Sequence, residues 1–163
     1  MKIKEITPQH KHFEPLCRTL TEWIYGQIDY INYLQVKWSL IEQYNHGKAL
    51  HKKKRKRHPL PKIFIVTHKA KLIGFCRFVP HVVMEKKHLG PWLAQMYILS
   101  SHRNCGYGKS LINHICTVAR KLNHEQLYLK TEDQEAFYQN LGWQSFDQHQ
   151  EDGLSYTLMK KDL

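Results

Sequence analysis

No stretch of this 163-residue chain is apolar over anything near the ~18–20 residues that a membrane-crossing helix needs. The opening Met1-Lys2-Ile3-Lys4-Glu5 also lacks the apolar segment of a secretory signal. The expectation is therefore a soluble, cytoplasmic protein. Cysteine is sparse. Cys17, Cys76, Cys105 and Cys116 include no C-x-x-C pair, and their density is far from that of a disulfide scaffold, so reduced thiols are expected. The histidines are scattered, with no H-E-x-x-H and no Cys/His group at zinc spacing, so no metal site is expected. With 8 glycines and 6 prolines, collagenous and low-complexity classes are excluded. Acidic residues are few, 14 against 25 Lys and Arg, for a formal charge of +11.

What is present is enough apolar residue, 42%, to build one core, and a length that fits a single domain over residues 1–163. The positive charge favours phosphates, nucleic acid or other acidic partners. Much of it is one run, Lys52-Lys53-Lys54-Arg55-Lys56-Arg57; the rest of the chain is only modestly basic. Like charges at successive positions repel, so residues 47–60 read as a mobile, solvated loop. Contact with nucleic acid, membrane or another acidic surface through Lys52–Arg57 is a second reading of this run, and a nuclear-localisation-like signal a third. No zinc finger or interleaved aromatics mark base readout.

Periodicity gives the order of elements. Residues 2–7 read as a short strand ending at Pro8. Phe13, Leu16, Leu20, Trp23 and Ile24 recur at helical spacing, as do Ile31, Leu34, Trp38 and Ile41, and His46-Gly47 is expected to end the second helix. Trp23 and Trp38 fall on these stripes and are expected in the core. Ile63-Phe64-Ile65-Val66 reads as a buried strand. Leu72–Val79 is the next, with Gly74 marking a close approach. Trp92–Leu99 follows, with Leu93, Gln95, Tyr97 and Leu99 on one face. A helix carries Leu111, Ile115, Val118 and Leu122, a short strand Leu127–Leu129, and a short helix Asp133–Leu141 stops at Gly142. Strands near 143–147 and 154–160 finish the chain. The alternation suits one mixed α/β sheet with helices on both faces.

The segment richest in chemistry is Ser101-His102-Arg103-Asn104-Cys105-Gly106-Tyr107-Gly108-Lys109-Ser110. A strand–turn–helix junction aims backbone N–H groups and a positive helix end at one point, which makes an anion site. Glycines at 106 and 108 let backbone approach a phosphate without a Cβ in the way. A Walker A loop would need glycine at Arg103, and a dinucleotide fingerprint would need glycine at Leu111. The pattern that fits is R-x-x-G-x-G.

That pattern, with the strand Ala94–Leu99 before it, a helix after it, and Glu135-Ala136-Phe137-Tyr138-Gln139-Asn140-Leu141-Gly142-Trp143 some thirty residues on, resembles the Gcn5-related N-acetyltransferases (GNAT). The resemblance is clear over roughly residues 62–147. Pro91-Trp92-Leu93-Ala94 and Asp133–Tyr138 are similar to a bacterial-type group within that superfamily. The resemblance implies the acyl-CoA N-acyltransferase fold, a mostly antiparallel sheet with two splayed parallel strands at 92–99 and 126–130. It implies transfer of acetyl from acetyl-CoA to a primary amine of a small molecule, peptide or protein, by direct attack in a ternary complex. Met96, Tyr97 and Ile98 would pair with the pantetheine arm. Arg103, Asn104, Cys105, Gly106, Tyr107, Gly108, Lys109 and the Ser110 hydroxyl would form the pyrophosphate loop. Thr131 stands where many members place a cofactor-binding asparagine. Tyr138 would be the general acid for the departing thiolate.

For the acceptor, the helices at 13–25 and after 30 would flank the site, making Tyr25, Asp29 and Tyr30 candidates. Gln95 takes the place of the glutamate that many members carry on this strand. It cannot act as a base, so the base lies elsewhere or acts through water, with Glu22, His81 and Glu85 as candidates. An alternative from another class is an inactive module of this fold, holding CoA or docking nucleic acid through the basic run. Pairing of C-terminal strands, as in other members, would make a homodimer.

Overall fold

The computed structural model describes residues 1–26, 30–54 and 60–163. Their order is β1 (Lys2–Ile6), α1 (Phe13–Tyr25), α2 (Tyr30–Lys54), β2 (Lys62–His68), β3 (Lys71–Val79), β4 (Trp92–Ile98), α3 (Tyr107–Lys121), β5 (Gln126–Thr131), α4 (Glu135–Gln139), β6 (Gln144–Glu151) and β7 (Leu154–Asp162). The strands form one sheet in the order β1-β2-β3-β4-β5-β7-β6. Every neighbouring pair is antiparallel except β4 and β5.

Alternation along the strands divides the core between the two faces. Ile63, Ile65 and Phe75 pack with Phe13, Leu16 and Leu20 of α1 and with Val36 and Leu40 of α2. Phe64, Val66, Cys76, Phe78, Leu127, Leu129 and Met159 face the other way, onto Leu111, Ile112, Ile115 and Ala119 of α3 and onto Tyr138 and Trp143. A third cluster, Val79, Val83, Trp92, Tyr128 and Leu158, lies beneath the β3–β4 connection with Val82 and Leu89. Cys17, Cys76 and Cys116 are buried and Cys105 is exposed, all four as free thiols.

Three expectations are corrected here. The second helix runs on through residues 47–54 to Lys54 rather than ending at His46-Gly47. Lys, Ala, Leu and His all tolerate helix, one glycine costs only about 1 kcal/mol, and no proline intervenes before Pro59. Residues 55–59, the rest of the expected loop, lie outside the described residues. Trp38 is 58% exposed, because the buried stripe of α2 is Val36 and Leu40 with Tyr33 and the expected Ile41 against it, and Trp38 stands about 200° around the helix from either buried residue. Trp23, by contrast, stacks on Tyr97 at 4.0 Å and Phe75 at 5.9 Å. The third correction concerns β4. Its register against β3 slips between Phe75↔Tyr97 and Arg77↔Ala94, so β4 carries an extra residue. Gln95, at φ +48°, absorbs it as a bulge. The bulge breaks the simple alternation, putting Leu93 with Ile98 on the α3 face while Tyr97 turns to α1.

Candidate active site

The bulge matters because of what it does to the sheet. β4 and β5 run parallel but share one registered pair, Trp92↔Tyr128, and the Tyr128 amide donates to the Pro91 carbonyl at 3.0 Å. Beyond Trp92 the strands part. Close packing holds β4 on its other side: a Cβ at Gly74 would lie 2.7 Å from the Tyr97 carbonyl oxygen and 2.5 Å from Ile98 Cδ1. The close approach expected at Gly74 is thus to the backbone of β4.

Where β4 ends, the chain makes a short turn and enters α3. Arg103 ties this turn down. Its Nε donates to the Ile98 carbonyl at 3.0 Å, and its guanidinium lies 5.2 Å from the Tyr97 ring centroid. Gly106 caps α3 from the left-handed region, at φ +77°, and no side chain caps the helix. The first helical bond is Ser110 N–H to the Gly106 carbonyl, 3.0 Å. The amides of Tyr107, Gly108 and Lys109 therefore have no partner within the helix. The first turn of α3 contains no acidic residue, so the positive helix end is uncompensated there.

Together these parts make one groove of about 460 Å³, within the range of small-ligand and cofactor sites. Met96, Tyr97 and Ile98 form one wall. Arg103, Asn104, Gly106, Tyr107, Gly108 and Lys109 form one end, and Tyr138 sits across from them. Cys105, Ser110 and Thr131 are not among the lining residues. The Thr131 hydroxyl instead accepts the Gln134 amide at 3.1 Å and shapes the turn into α4. His102, Asp133, Gln134 and Phe137 also line the groove. Sequence reasoning missed these four as lining residues, although each lies within the two motifs it quoted or directly beside them.

Tyr138 is 9% exposed. Its ring meets Phe137 and Trp143 edge-on at 5.1 and 5.9 Å, and its carbonyl accepts the Trp143 and Leu141 amides. Burial, with a smaller contribution from Cys76, pushes the phenol up to about 12. The phenol stays protonated at neutral pH, so it can donate a hydrogen bond but does not serve as a base. Gln95 lies outside the groove's lining, exposed on the bulge, where its Oε1 accepts from Arg77 Nη1 at 2.6 Å. Glu22, His81 and Glu85 are exposed, and none of them lines the groove. Tyr25 is exposed at the end of α1, its hydroxyl 3.4 Å from Gln35 Oε1. Tyr30 opens α2, but its side chain and the whole of Asp29 lie outside the described residues. No group of three metal-ligating side chains occurs among the described residues.

A family model described as Acetyltransferase (GNAT) domain matches residues 59–145, more than half of the chain. The chain belongs to the GNAT acetyltransferases. The GNAT fold is equally plain in solved structures. An aminoglycoside 6'-N-acetyltransferase complexed with coenzyme A is 14% identical, with a TM-score of 0.69 over 99% of this chain and 97% of that one. A ribosomal-protein-alanine N-acetyltransferase from Brucella melitensis is 18% identical over the whole of both chains, with a TM-score of 0.64. A GNAT family acetyltransferase from Elizabethkingia anophelis with acetyl-CoA bound is 12% identical, with a TM-score of 0.56 over 99% and 97%. At such identities the likeness is one of fold. No curated protein matches the chain significantly.

Proposed function

We propose that this GNAT protein transfers acetyl from acetyl-CoA to a primary amine by direct attack in a ternary complex. One observation carries the reading. The unpartnered amides at the start of α3, the parted strand β4 and the Tyr138 side chain all belong to a single groove. The residues suit the cofactor. The Tyr107, Gly108 and Lys109 amides, with the Lys109 ammonium, would hold the pyrophosphate. The backbone of Met96–Ile98, freed from β5 by the bulge, would pair with the pantetheine arm as a strand would.

Acetyl-CoA, when bound, supplies an activated acetyl thioester. In the proposed transfer the amine nitrogen would bond to the acetyl carbon as the carbon–sulfur bond breaks, and the proton shed by that nitrogen would balance the one the departing thiolate takes up. Tyr138 supports that departure by donating a hydrogen bond to the sulfur. The incoming ammonium loses a proton before attack. With glutamine at position 95, a solvent-connected base serves that step. The net charge of +11 disfavours a polycationic acceptor.

Calorimetric titration with acetyl-CoA, using CoA as control, tests the first half of this reading. Saturable micromolar binding is expected. No heat and no thermal stabilisation at high ligand concentration would overturn it. Release of CoA that depends on an added amine tests the second half.

A further inference from the structure

Arg77 is a cation in an unusual place. On β3, Phe75 packs in the α1–α2 cluster, Cys76 and Phe78 face α3, and Val79 joins the cluster beneath the β3–β4 connection. Alternation puts Arg77 on the Phe75 and Val79 face, between these two apolar clusters. It is opposite Ala94 in register and beside the bulge at which β4 leaves β5. The guanidinium is half-buried, and burial alone lowers its pKa, to about 10, so it remains charged at neutral pH. Among the described residues its one side-chain bond is to Gln95 Oε1. Among the described residues no carboxylate pairs with it.

A half-buried guanidinium without a counter-charge costs desolvation energy that one neutral amide does not offset. A desolvated, singly partnered cation beside a cleft is a candidate for a functional site. The acetyltransferase reading, on which this inference rests, fills the α3 side of the gap with the cofactor. The amine would then approach the thioester from the α1–α2 side of β4, the side on which Arg77 and its partner Gln95 lie.

We propose that Arg77 reads an oxyanion on the acceptor, so that the substrate is an amine carrying a carboxylate or phosphate group near its reacting nitrogen. A guanidinium offers five N–H donors in a planar fork that matches either oxyanion in two-point contact. Gln95 uses one donor and fixes the orientation of the fork, leaving the others for the ligand. The positive surface draws the same class of molecule toward the site.

The test uses CoA-saturated protein, so CoA binding is established first. N-acetylglycine is compared with N-acetylglycinamide, and N-acetyl-O-phosphoethanolamine with N-acetylethanolamine, by calorimetry or thermal shift. At least one oxyanion is expected to bind tenfold or more tightly than its neutral partner, and the preferred pair tells carboxylate from phosphate. R77Q should erase that difference while CoA affinity holds, and R77K should restore part of it. Q95E, which keeps Arg77 but gives it an internal carboxylate, should erase it too. Equal binding of acid and neutral partner, no binding of any of the four probes, or an R77Q protein that still prefers the oxyanion would each overturn the proposal. Failure to bind CoA would instead sink the acetyltransferase reading, and this inference with it.

Discussion

Tyr138 shows how much one side chain's surroundings decide. A phenol pushed up to about 12 is a poor base and a reliable donor, so in the proposed reaction its contribution would lie at the leaving sulfur and not at the amine. Y138F is expected to lower kcat about tenfold or more, or about 1.4 kcal/mol of barrier, with acetyl-CoA affinity nearly unchanged. Steady-state kinetics beside calorimetry would check both halves, and an undiminished kcat in a folded protein would remove the role. Gly108 separates binding from folding in the same way. An added Cβ would meet Phe137 Cζ at 3.6 Å and Met96 Cε at 3.9 Å, ordinary contact distances, so the fold accepts it. It would, however, occupy the floor of the groove. G108A should therefore melt at or slightly above the wild-type temperature, since alanine favours helix over glycine, yet bind CoA about tenfold more weakly. A glycine serving only as a turn residue would leave affinity untouched.

At the scale of the element, β4 is the part on which the site depends. Its bulge lies where β4 and β5 part, and just beyond it β4 fits tightly against Gly74. G74A would set a methyl group against the Tyr97 carbonyl, a clash that the backbone can relieve only by moving β4. A loss of about 1–3 kcal/mol of stability is expected, together with weaker acetyl-CoA binding, because the displaced strand is a wall of the groove. Thermal melts and calorimetry on one preparation would show the two effects together. The sequence announced the strand, the R-x-x-G-x-G turn and the helix that follows. It did not announce the bulge. Gln95 is polar in an apolar strand, but nothing in its identity says that it adopts a left-handed conformation, which here is set by how β3 and β4 pair. The stripe of α2 was misplaced for a related reason. Tyr33, Val36 and Leu40 compete with Leu34 and Trp38 for the buried face, while Ile41 packs with the winners, and contact with α1 decides between them. There Arg18 lies over the Tyr33 ring at 5.3 Å and Glu14 pairs with Tyr33 and Lys37.

For the whole molecule, the element order was legible because strands and helices alternate with clear punctuation, and the groove because both of its motifs are local in sequence. Arg77 was not legible as a site residue, since only tertiary alternation places it beside Gln95. The buried acids predict a global property. Burial raises Cys17 to about 12 and raises the Cys76 and Cys116 thiols as well, while Tyr138 rises to about 12. The native state holds these protons at a pH where the unfolded chain releases them, so stability falls as pH rises. The loss should begin near pH 9 for the thiols and pH 10 for the phenol, and continue toward about 12. Arg77, lowered to about 10, works the other way but is a single group against several. Denaturant midpoints should therefore drop steeply above pH 9, and a flat profile to pH 11 would contradict the burial of these groups.

The distribution of the four thiols has a practical side. Three are sealed in the core, while Cys105 is exposed on the turn that leads into α3. The native protein thus carries one addressable handle beside the groove. A thiol-directed fluorophore should attach once per chain, at Cys105, and its emission should change when a ligand occupies the turn. The same handle has a cost in assays that follow released CoA by its thiol, because each chain adds one equivalent to the blank before any turnover.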